Sequence, residues 1–136
     1  MQANDIERIL RHWRPKCPMD WISDRSFLVL SYENEITKEY EPSFCINLGK
    51  SNDGDGDFGN LCFLTRLTTK TPVDWKMIND LNRNFRFIRH GIFDDNTIEL
   101  ILDLPENSYE LSESVFLKNY IFFTEGLLRL RAIYSK

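Results

Sequence analysis

The chain has 136 residues, 42% of them hydrophobic and 13% aromatic, which suits one folded domain spanning residues 1–136 and excludes intrinsic disorder. Seventeen basic against 21 acidic residues give a net charge of −4, which argues against a protein that grips nucleic acid mainly through phosphates. Cys17, Cys45 and Cys62 show no C-x-x-C spacing, and only His12 and His90 are there to join them, so no zinc pattern is present.

In chain order, Asn4 followed by Glu7 resembles a capping box, and Ile6, Ile9, Leu10 and Trp13 recur at helical spacing until Pro15 and Pro18. Ser26–Tyr32 is β-rich and apolar on both faces, as a central strand is. Phe44, Ile46 and Leu48 alternate with Cys45 and Asn47 as in a half-buried strand. Ser51–Asn60 is a glycine–aspartate turn, and Leu61–Leu67 resumes the strand pattern. A second helix follows, with Thr71 as its cap, Pro72 in its first turn and Asp74 facing its open amides; Met77, Ile78, Leu81 and Phe85 share one face, and Trp75 sits at its margin. Arg86–Phe93 and Thr97–Leu104 read as two strands joined at Asp94-Asp95-Asn96. Ser112 caps a last helix running to about Tyr134. The expected class is α+β, with an antiparallel five-stranded sheet flanked by helices in the order α-β-β-β-α-β-β-α.

The last helix has more apolar surface than one sheet contact needs. Its polar side chains Lys118, Glu125 and Arg129 cluster on one edge, with Glu125 and Arg129 at ion-pair spacing. Phe116, Leu117, Tyr120, Ile121, Phe123, Leu127, Leu128, Leu130, Ile133 and Tyr134 fill most other directions. A second copy of the chain or a protein partner is the expected cover, with Trp75, Phe116, Tyr120, Phe123 and Leu127 as the expected contact residues.

Other chemistry finds little support in the residues. Asp53, Asp55 and Asp57 alternate as in a calcium loop, but Phe58 stands where the tight turn needs Gly and Leu64 where a bidentate Glu belongs. A metal- or small-ligand-sensing domain using this acidic tip is the alternative reading. Arg83, Arg86, Arg89 and His90 interleave with Phe85 and Phe87, but strand alternation would send basic and aromatic side chains to opposite faces, so nucleic acid is not expected. No G-x-S-x-G or H-E-x-x-H is present, so the reading is of a protein that is not an enzyme and uses no cofactor or metal. The N-terminal MQANDIERIL lacks the apolar core of a secretory signal, and no stretch offers the ~20 apolar residues of a membrane helix, so a soluble cytoplasmic protein is expected.

Trp75–Leu104 is similar to the YbjN domain family. The likeness lies in a helix ending in an Asn-rich turn, an Arg-Phe lead into a strand, an acidic turn and an apolar strand, carried by Asn82, Arg86, Phe87, Asp94, Asp95 and Leu100. With the following helix it covers about Thr71–Arg131; Asn96 stands where the family often has Gly. The resemblance implies a fold like that of type III secretion chaperones and a tendency to dimerise. It also implies a bacterial chaperone-like protein or regulator of sensory transduction, without enzymatic activity.

Overall fold

The computed structural model describes residues 1–22, 27–33, 40–50 and 58–134. They form α1 (Ala3–Trp13), β1 (Met19–Ile22), β2 (Phe27–Glu33), β3 (Tyr40–Lys50), β4 (Phe58–Thr68), α2 (Trp75–Asn84), β5 (Arg89–Asp94), β6 (Thr97–Asp103) and α3 (Glu113–Tyr134). The α+β class is as expected. The five-stranded sheet is not: β1 is an additional strand, and the antiparallel registers join β1 to β2, β2 to β3, and β5 to β6. Contacts within the chain gather into one unit of residues 1–62 and 103–116, and another of residues 63–102 and 117–136.

In the first unit, α1 buries Ala3, Ile6, Ile9 and Leu10 along one face, the spacing its sequence dictates. The cap differs from expectation. Gln2, in extended conformation, precedes the helix, and the carboxylate of Asp5 accepts from its amide at 2.9 Å, two residues upstream of the expected Asn4–Glu7 pair. Glu7 instead faces outward, accepting from Arg11 at 3.0 Å and from the Trp21 indole at 2.9 Å, which ties β1 to α1. Leu28 and Leu30 of β2 are fully buried with Val29 half-buried between them, as a central strand requires. The Cys17 thiol is buried and donates to the Ser31 carbonyl at 2.9 Å. The Met1 ammonium donates to the Ser108 carbonyl, and Asn60 Nδ2 donates to the Pro105 carbonyl at 2.7 Å.

In the second unit, the later part of β4 neighbours β6, which neighbours β5. The turn between β5 and β6 is the expected one: Asn96 N–H donates to Asp94 Oδ1 at 3.0 Å, and the Asp95 carbonyl accepts from Val73 N–H at 2.7 Å. Asp74, not Thr71, caps α2, its carboxylate accepting from Met77 N–H at 2.9 Å. Thr69 and Thr71 belong to the approach to the helix, with Thr69 Oγ1 donating to the Thr71 carbonyl at 2.6 Å. At the start of α3, within the first unit, Ser112 is the cap as expected, accepting from Val115 N–H at 3.2 Å. The core of this unit centres on Phe63, stacked on Phe123 at 5.6 Å between ring centroids, with Tyr120 beside it at 6.5 Å. No helix among the described residues is long and apolar enough to cross a membrane.

Candidate functional site

A half-open cavity of about 330 Å³ lies in the second unit, lined by Asn84–Ile88, His90, Phe122, Gly126, Arg129 and Leu130. Two local departures from regular structure make it. First, α2 stops at Asn84, and β5 begins only at Arg89 rather than at the expected Arg86. Phe85 leaves the helical conformation while its N–H still donates to the Leu81 carbonyl at 2.9 Å. Second, Phe87 adopts a φ of 77°, in the left-handed region that side chains other than Gly, Asn and Asp seldom occupy. Arg86, Phe87 and Phe85 thus share one cavity, and the strand alternation that would have separated aromatic from basic side chains does not apply to them.

Ile88 turns inward and is buried. It approaches α3 closely at Gly126, where an added Cβ would stand 2.5 Å from Ile88 Cδ1 and the tip of the isoleucine would have to shift. Phe87 goes the other way. It is 82% exposed, and its ring meets Phe122 edge-on at 6.3 Å. Arg129 places its guanidinium carbon over the Phe85 ring, 4.7 Å from the centroid, instead of forming the expected ion pair with Glu125. Among the described residues neither Arg86 nor Arg129 has a carboxylate partner within ion-pair distance. Arg66 is different, being committed both to Glu99 at 3.1 Å and to the face of Phe93 at 3.6 Å.

Asn82 holds the cavity's base in place. Its Nδ2 donates to the His90 carbonyl at 3.0 Å and its Oδ1 accepts from the His90 N–H at 2.7 Å, so the side-chain amide pairs with the start of β5 as a strand neighbour would. That orientation leaves Oδ1 as an acceptor 3.1 Å from His90 Nδ1, so Nδ1 carries a proton. Burial pushes the His90 imidazole down from 6.5 to about 4, against a weaker upward pull from the Ile88 backbone, so the ring is neutral at pH 7.

The other sequence-selected residues fall elsewhere. Phe116, Tyr120, Phe123 and Leu127 are buried within the single chain, which corrects their selection as contact residues: they already have neighbours. Trp75 is 67% exposed but opens α2 away from the cavity lining. Of the positions that carry the family resemblance, Asn82, Arg86 and Phe87 build the cavity and its support, whereas Asp94 and Asp95 form the turn and Leu100 is core. Sequence reasoning missed Phe122, Gly126 and Arg129 as site residues; Gly126 inside an apolar helix was the one available signal of a close approach. Asp53, Asp55 and Asp57 lie outside the described residues. Among the described residues no three His, Cys, Asp or Glu side chains gather as a metal site. No known family model and no curated protein matches this sequence.

Proposed function

We propose that this chain is a non-enzymatic protein-interaction module, chaperone-like in its use, whose cavity takes an apolar side chain of a partner segment. The observation that carries this reading is Phe87: a large aromatic side chain held in a left-handed backbone conformation, yet 82% exposed. Such a conformation costs about 1–3 kcal/mol, and little burial of the ring offsets it, which is the pattern of a residue shaped by binding rather than by folding. The cavity beside it has the size and mixed aromatic and cationic lining of a recognition pocket. The YbjN-like residue pattern over Thr71–Arg131 is in keeping with a type III secretion chaperone-like fold and a regulatory role.

The test is a peptide array probed with the native chain and with Phe87→Asn, which tolerates the same backbone geometry but removes the ring. Retention of peptides that share an aromatic or branched apolar residue, lost in the variant, is expected. No retention, or retention indifferent to the substitution, discards the reading. Self-association belongs to the same proposal. Its surface would be the exposed side chains of α3, Ile121, Leu128 and Ile133, and a monomer in sedimentation velocity removes it.

A further inference from the structure

Building on the pocket reading above, we infer that the segment it receives is acidic: an aromatic or branched apolar side chain flanked by Asp or Glu. The charge at the cavity carries this. Arg86 and Arg129 both line it, and neither meets a carboxylate within ion-pair distance among the described residues, although the chain as a whole is acidic with a net charge of −4. Every other charge at the cavity is absent: the remaining lining is Asn84, His90, and aromatic, aliphatic or glycine residues.

The geometry favours a carboxylate over a diffuse anionic surface. Arg129 Cζ lies over the Phe85 ring at 4.7 Å from its centroid, a contact that engages the cation without using its N–H donors, which suit a planar, two-oxygen acceptor. The ordering cost of that side chain is met in part before any ligand arrives. In the same cavity as the two arginines, the rings of Phe85, Phe87 and Phe122 offer apolar contact, and about 330 Å³ has room for little beyond one large side chain. An apolar anchor with a carboxylate beside it satisfies both features at once. A nucleic-acid strand fits less well, because it needs a run of positive charge along its path, and here the charge is confined to two side chains on an acidic protein.

Fluorescence polarisation with labelled short peptides tests the inference on the full chain. Three peptides carry a central Trp flanked by Glu, by Gln or by Lys, and a short oligouridylate serves as the fourth probe. The Glu peptide is expected to bind about tenfold or more tightly than the Gln peptide, with the Lys peptide weakest. Added salt should erode the Glu advantage alone, a readout that needs no variant. Arg86→Gln combined with Arg129→Gln should bring the Glu peptide to the level of the Gln peptide measured on the same variant, and Phe87→Asn should weaken both. Equal binding of the Glu and Gln peptides, still sensitive to Phe87→Asn, overturns the acidic preference and leaves the pocket reading standing. Failure of every peptide, or indifference to Phe87→Asn, brings down the pocket reading itself. Oligouridylate bound more tightly than the Glu peptide, and released by the arginine variants, overturns the inference in favour of nucleic acid.

Discussion

At Phe87 the usual ranking of Gly and Ala should invert. In an ordinary strand or helix Gly is the worse of the two by roughly 0.5–1 kcal/mol, but at a φ of 77° an L side chain of any kind is strained. Phe87→Gly is therefore expected to be more stable than Phe87→Ala by about 1 kcal/mol in urea denaturation, both having lost the edge contact to Phe122. The opposite order would mean that the backbone there is not strained. His90 makes a second prediction at this scale. Its folded pKa, about 4, lies below the 6.5 of the free side chain, so the unfolded chain takes up the proton first as pH falls. The stability that neutral His90 contributes is complete above about pH 6.5 and drains away between there and pH 4. His90→Gln should flatten that part of the curve of melting temperature against pH; an unchanged slope would assign the loss to other groups. Neither property was legible in the sequence. A left-handed residue is ordinarily betrayed by Gly or Asn, and Phe gives no such sign, while the burial of a histidine depends on what packs over it.

Among the elements, α3 shows how one missing methyl sets a contact. Gly126 weakens the helix by about 1 kcal/mol relative to Ala on propensity alone, yet Gly126→Ala is expected to leave stability nearly unchanged, because its Cβ meets Ile88 Cδ1 and the shift of that tip offsets the gain. Ile88→Val removes that atom. The next Ile88 atom stands 4.0 Å away, an ordinary contact, so the double variant should be less destabilised than the two single changes added together. Strict additivity would show that Ile88 simply swings aside. Helices and turns were otherwise the most legible parts of the chain, since their signals are local: Ile78 and Leu81 share the buried face of α2, Ser112 caps α3, and the Asp94–Asn96 turn closes as its residues suggest. Caps that shifted did so by competition between neighbours. Asp74 and Thr71 were both eligible, and the carboxylate three residues before Met77 took the role. The strand β1 escaped notice because Met19–Ile22 is only four residues long and its alternation, buried Met19 and half-buried Trp21 against exposed Asp20 and Ile22, is too short to stand out.

For the whole molecule, composition and periodicity conveyed the α+β class because each element's apolar pattern is its own. They could not convey which elements meet. The abundance of apolar residues on α3 read as a surface in want of cover, yet Phe116, Tyr120, Phe123, Leu127 and Leu130 are buried in the chain itself, and Phe63 of β4 stacks on Phe123 from more than fifty residues away in the sequence. The cavity was equally hidden, since Arg86 and Arg129 become neighbours of one space only through the packing of α3 beside the turn after α2. Two of the elements also straddle the division of the chain: β4 passes from the first unit to the second between Cys62 and Phe63, and α3 does so between Phe116 and Leu117. No single scission can therefore liberate either half intact. A shortened gene beginning at Phe63 would drag along the 103–116 excursion stripped of its companions, and one ending at Cys62 would forfeit it, so any attempt to isolate the aromatic pocket for crystallisation or screening has to keep the polypeptide whole.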